Sequence, residues 1–334
     1  MASETARKFL LRLAVTLSAG LAGCAWVAVQ TAPAKQARPA SEHARAVARD
    51  FWEAFHAGRY DRIDELLEQH DQTIASEPAE VVTIAHAGWL HAWRLSERAR
   101  LAPTARVIED ASLARRLFDE AVAMEPHDAR YLGFAASFTM AEGDILGDQR
   151  LVRQGYYRMR DAVAMFPEFN LFTSGYVMSN KPVDSPQFRE GLEQQWQTLD
   201  RCFGAGVDRH DPDLRKYLGL ETHEGPRRVC WNSWIAPHNW EGFFLNFGDM
   251  LARADDLPHA RQMYEASRLS ASYAQWPWRA VLERRLAQLP SLPQRLANPL
   301  RGEPEWTPMI NSAFACMACH QSSGSLPAMS GQSG

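Results

Sequence analysis

Ala121-Val122-Ala123-Met124-Glu125-Pro126 returns 41 residues later as Ala162-Val163-Ala164-Met165-Phe166-Pro167. Each copy closes a run in which apolar residues recur every three or four positions, the period of a helix with one buried face. Each run stops at a proline, which lacks the N–H of the helical ladder and clashes with the preceding turn. Upstream of each stop, Ala114, Phe118 and Ala121 match Gly155, Met159 and Ala162 as small, large, small. A small residue lets two antiparallel helices approach, and a large one fills the groove between them. The same periodicity runs from about Ser41 to Pro290 with almost no strand-like alternation. The sequence therefore predicts an all-α fold of helical hairpins over residues 41–290.

The spacing Ala114, Phe118, Ala121, Pro126 and its copy Gly155, Met159, Ala162, Pro167 resembles the second helix of a tetratricopeptide repeat. Leu132-Gly133 falls where that family's first helix carries its Leu-Gly pair. Gly58-Arg59-Tyr60-Asp61, followed by Ile63 and Leu67, looks like the family's turn and second helix. Phe244, Phe247, Gly248, Leu251, Ala260 and Tyr264 are similar to a whole repeat, with Ser267 and Ser272 where Ala and Pro are usual. The resemblance implies an array of helical hairpins, with an insertion near residues 143–153 to account for the long period.

At the N-terminus, Arg7, Lys8 and Arg12 precede a short apolar run from Leu13 to Leu21. That run is shorter than the roughly 20 residues needed to span a bilayer and fits an export signal over residues 1–23. Its end, Leu21-Ala22-Gly23-Cys24, resembles the lipobox of bacterial lipoproteins, which implies lipidation of Cys24 and a membrane anchor. Ala25 and Trp26 follow the cysteine without an Asp, which by analogy with the best-known sorting rule implies the outer membrane. Residues 24–40, rich in Ala, Pro and Gln, read as a tether. The expected location is the periplasm-facing cell envelope.

Four cysteines remain. Cys202 and Cys230 flank a Gly-, Asp- and Pro-rich stretch, and in an exported chain a disulfide between them is the economical reading. Cys316-Met317-Ala318-Cys319-His320 is CxxCH, the attachment motif of c-type cytochromes. Composition alone would give such a motif only about 0.002 times in a chain like this one. Two thiols on one helical turn reach the two vinyl groups of a haem, and the adjacent His lies under the iron. The resemblance thus implies one covalently attached haem c, held by Cys316 and Cys319 with His320 as proximal iron ligand. A structural zinc site would want a second CxxC, and a thioredoxin-like CxxC would want a preceding strand; the sequence has neither.

Only 14 residues follow His320, so the motif lies too close to the end for the three- or four-helix module of a small cytochrome c. Residues 291–334 are expected to form a Pro-rich strap and haem-attachment segment that docks on the helical domain. The expected dock is 231–247, where Trp231, Trp234, Trp240, Phe243, Phe244 and Phe247 surround His238. Aromatic walls lower the dielectric around a haem. His238 is the first candidate for the sixth ligand, beside Met309, Met329, His86, His91, His223 and His259; an open iron is the remaining option.

Net charge is −4 with 23% charged residues, so no basic field points to nucleic acid. No nucleophile triad, P-loop or dinucleotide fingerprint competes with a haem role. The expected role is periplasmic electron transfer with a redox partner protein docked by the repeats. A haem enzyme or gas sensor with an open iron, and an assembly scaffold with a structural haem, are the alternatives.

Overall fold

The computed structural model describes residues 35–97, 106–222, 224–231 and 240–297. Among them every regular element is helical, and no strand occurs. The first helix, α1 (Glu42–His56), opens where Ser41 accepts a hydrogen bond from the Ala44 N–H at 3.0 Å, satisfying one of the free amides of a helix start. Gly58 then takes a positive φ of 64°, and the turn leads into α2 (Ile63–Ser76), which buries Ile63 and Leu67. Helix α3 (Val81–Ser96) is capped by Glu80, whose carboxylate accepts from the Val82 and Thr83 amides.

Three long helices follow: α4 (Val107–Met124), α5 (Ala129–Leu146) and α6 (Gln149–Met165). Helix α4 ends two residues before Pro126, and its face of Ala114, Phe118 and Ala121 is fully buried. Helix α6 buries Gly155, Met159 and Ala162 and no other residue, so the small–large–small triplet is its whole inner face. Pro167 ends α6 and also starts α7 (Pro167–Met178), at the first-turn position where its missing N–H costs nothing. Then come α8 (Pro186–Phe203), two short 3-10 turns, Leu214–Leu220 and Pro226–Cys230, and α9 (Trp240–Arg253). The described chain closes with α10 (Leu257–Ser267), α11 (Arg279–Ala287) and a last turn, α12 (Leu292–Arg295).

Consecutive helices pack as hairpins: α3 on α4, α4 on α5, α5 on α6, α7 on α8, and α9 on α10. Contacts between α1 and α3 and between α5 and α7 add the next-but-one neighbour. The expected insertion at 143–153 is not a loop. Helices α5 and α6 meet across Gly147 and Asp148 alone, so the extra residues lengthen both helices. Gly147 supplies the left-handed φ of 69° that ends α5, and Asp148 caps α6 through the Arg150 and Leu151 amides.

One large apolar core runs from Val81 to Leu296, with a second cluster around Phe51, Phe55, Leu66 and Trp93. Leu292 and Leu296 are fully buried in the large core, so the helical body continues past residue 290. Helix α9 is buried at every position from Trp240 to Arg253, and it is the element around which the C-terminal half of the core is organised.

Candidate functional site

Most of the residues singled out for chemistry lie outside the described residues: Cys24, His223, Trp234, His238, Met309, Cys316, Cys319, His320 and Met329. What the structure describes is the scaffold on the two sides of residues 232–239 and the remaining histidines.

A disulfide joins Cys202, near the end of α8, to Cys230, in the second 3-10 turn, with 5.5 Å between Cα atoms. It is buried among aromatic rings. Phe203 stacks on Tyr217 with centroids 4.2 Å apart, and Trp231 stacks on Trp240 at 5.4 Å. The Trp240 indole N–H donates to the Ala266 carbonyl at 2.7 Å, tying the start of α9 to the end of α10. Trp231, Trp240, Phe243, Phe244 and Phe247 were expected as a docking surface; each is 7% exposed or less. Phe244 and Phe247 are taken up by hairpin packing, and Phe203 and the disulfide close on Trp231 and Trp240. Hydrophobic rings at helical spacing bury one another before they offer a face to a ligand.

The histidines offered as further ligands are committed to separate tasks. His91 Nδ1 lies 2.9 Å from Asp110 Oδ1, and Arg94 donates to the same oxygen at 2.7 Å. Burial opposes ionisation of Asp110, but these hydrogen bonds outweigh it and hold the carboxyl below its usual range. His259 Nδ1 lies 2.7 Å from Asp256 Oδ2 at the start of α10. His86 turns toward α1, where its ring stacks on Phe51 at 4.2 Å and meets Trp52 edge-on at 5.3 Å. His86 and His91, both on α3, therefore serve different neighbours. His70 completes the first cluster, 6.1 Å from His86, with Nδ1 on the Leu66 carbonyl at 2.7 Å. Burial holds both His70 and His86 below the ordinary imidazole range, and His86 furthest. Among the described residues no group of three or more His, Cys, Asp or Glu side chains is placed to hold a metal ion.

Helix α9 carries a buried polar network. Asp249 Oδ1 accepts from the Tyr264 hydroxyl at 2.6 Å and from Arg285 Nε at 3.0 Å, with all three side chains sealed from solvent. One turn on, Arg253 stacks over Phe188 at 4.9 Å and donates to the carbonyls of Ser179 and Lys181. Burial pulls its guanidinium down to about 10, which leaves it charged at neutral pH. At the other end Glu241 accepts from Ser270 and Ser272. The signal for this network is visible in the chain: Glu241, Asn246, Asp249 and Arg253 interrupt a helix that is otherwise apolar and close-packed. Sealed charges that satisfy one another hold helices in register; they do not meet a substrate.

An open groove of about 920 Å³ passes Pro167, Leu171, Asp200, Arg201 and Arg227. Asp200 is already engaged by the Val207 amide and by Arg209. Among the described residues no helix is long and apolar enough to cross a membrane. No family model, curated protein or solved structure matches this chain.

Proposed function

We propose that this chain is a lipid-anchored, periplasm-facing monohaem c-type cytochrome that passes electrons to or from a protein partner. The observation that carries the reading is the motif Cys316-Met317-Ala318-Cys319-His320. Its donor set fits haem c: two thiols three residues apart for thioether links, and an imidazole next to the second for the iron. Haem bound there supplies a one-electron iron couple. The lipobox ending in Cys24 supports export and anchoring, and export agrees with where bacteria attach this cofactor. Cys202 and Cys230, joined in the helical body, suit the same oxidising compartment.

In this reading the helical body is a tetratricopeptide-like array that carries the haem segment. Support comes from the buried triplets Ala114, Phe118, Ala121 and Gly155, Met159, Ala162, and from the pairing of α9 with α10. His238 is the sixth ligand we assign. His91 and His259 are held by Asp110 and Asp256, and the segment carrying His238 joins the stacked rings of Trp231 and Trp240.

The test is the absorption spectrum of the purified full chain, oxidised and reduced, from a host that makes c-type cytochromes. A six-coordinate low-spin spectrum that turns high-spin in His238→Ala supports the reading. A high-spin spectrum in the unaltered protein would instead indicate an iron open to small ligands, and would overturn the electron-transfer assignment.

A further inference from the structure

Helix α6 carries four arginines, and they divide by face. Arg158 turns inward and donates to Asp119 of α4 at 2.6 Å. Arg150, Arg153 and Arg160 are exposed and have no ion-pair partner among the described residues. At positions i, i+3 and i+10 they share the outer side of the helix with Tyr157, at i+7. Tyr157 is 59% exposed, and Met165, at the end of the helix and turned about 100° from this face, is 47% exposed. Leu146, at the neighbouring end of α5, is 57% exposed. The only carboxylate on this outer face of α6 is Asp161; Asp148, before the helix, is spent on the cap. A chain of net charge −4 thus displays a ribbon of three guanidiniums without an ion pair among the described residues, with the exposed ring of Tyr157 set between them.

Arginine and tyrosine are the residue types that dominate protein interfaces, because each brings an apolar body with a directional polar tip. Arg also forms two-pronged hydrogen bonds with carboxylates, which Lys does not. A lipid surface fits less well. Tyr157 and Met165 stand about 12 Å apart along the helix, with Arg160 and Asp161 between them, so no continuous apolar face is offered to a bilayer.

We propose that the outer face of α6, through Arg150, Arg153, Tyr157 and Arg160, is a docking surface for a protein that presents a patch of carboxylates. The inference uses α6 alone and stands apart from the chemistry of the C-terminal motif. Opposite charge on the two faces would steer encounter and make it sensitive to salt.

The test uses the full chain with poly-L-glutamate as the acidic probe, titrated at low and then rising ionic strength. The triple variant Arg150→Gln, Arg153→Gln, Arg160→Gln should weaken binding about tenfold or more and flatten its salt dependence. Tyr157→Ser alone should weaken it by a smaller factor. A control triple on other exposed positions, Arg116→Gln, Arg189→Gln, Arg215→Gln, should bind nearly as the unaltered protein does. Circular dichroism of each variant establishes that it is folded; glutamine is a good helix former and suits these positions. Equal loss in both triples would reduce the effect to net charge and overturn the proposal. So would failure of the unaltered chain to bind poly-L-glutamate, or binding by this face to phosphatidylglycerol vesicles with poly-L-glutamate ignored.

Discussion

The ring of Tyr264 on α10 lies directly against Gly248 on α9, so close that a Cβ on residue 248 would sit 2.4 Å from the ring's Cε1. Tyr264 cannot yield, because it is fully buried and its hydroxyl is held by Asp249. The helix pair α9–α10 therefore depends on the absence of one methyl group. Gly248→Ala should cost about 1–3 kcal/mol, the usual range for overpacking a filled core, and lower the thermal midpoint by several degrees. Gly219→Ala, with nothing within 4 Å of the added carbon, should leave the midpoint nearly unchanged.

The sealed network behind that contact makes a second prediction. Arg285→Met removes the cation and leaves Asp249 buried, which should destabilise the fold by about 3–5 kcal/mol. Replacing the trio, Asp249→Leu with Tyr264→Phe and Arg285→Met, should recover much of that loss, since the buried carboxylate and its two donors are removed together. Urea unfolding of the two variants checks it. A triple variant no more stable than the single one would mean that the network adds more than mutual satisfaction.

Stability should begin to fall at mildly acidic pH. Burial depresses the imidazoles of His70 and His86 from an ordinary value of 6.5, so the folded protein keeps them neutral where the unfolded chain would protonate them. Above pH 6.5 neither state is protonated and their contribution is fully present. As pH falls below 6.5 the unfolded chain gains protons that the folded one refuses, costing up to about 1.4 kcal/mol per pH unit for each imidazole. Asp50 and Asp110 are depressed from 3.8, so their contribution is lost only at lower pH, as it falls through their folded values. Unfolding curves between pH 7.5 and 5 should show the early slope, and His86→Phe, which keeps the stack on Phe51, should reduce it by one proton. An unchanged slope in that variant would contradict the assignment.

The Cys202–Cys230 link closes a loop of sequence separation 28. Chain-entropy arguments give such a loop about 3–4 kcal/mol of stabilisation. Reduction, or the double change Cys202→Ala and Cys230→Ala, should lower the unfolding midpoint accordingly. A non-reduced digest should yield the linked peptides, and two thiols open to labelling in the mature protein would contradict the link.

Local signals in the chain carry the helix boundaries well. Ser41, Asp128, Asp148, Ser185 and Asp256 each cap the helix that follows them, and Pro126 and Pro167 stop the ones before. The triplets around Phe118 and Met159 are buried because helical spacing puts them on one side. What the chain does not display is long-range company. Trp231 and Trp240 read as a surface because Phe203, which packs against both rings, is brought near by folding. Asp249 can be seen in the chain to interrupt an apolar stretch, but its partner Arg285 lies 36 residues away and only folding brings it alongside. The long period reads as an insertion near 143–153, and its form, two helices joined by Gly147 and Asp148 alone, is not legible in the chain. The motif at 316–320 is legible by its spacing alone and lies outside the described residues.

The proposed electron-transfer role requires covalent haem at Cys316 and Cys319, and a haem stain of the denatured full chain tests that most directly. Expressed in a host with the machinery for c-type cytochromes, the protein should keep a stained band through denaturation, with one haem added to its mass. Cys316→Ser with Cys319→Ser should lose the stain while keeping the helical circular dichroism. An unaltered chain that carries no covalent haem under those conditions, or a double variant that still does, would contradict the central claim.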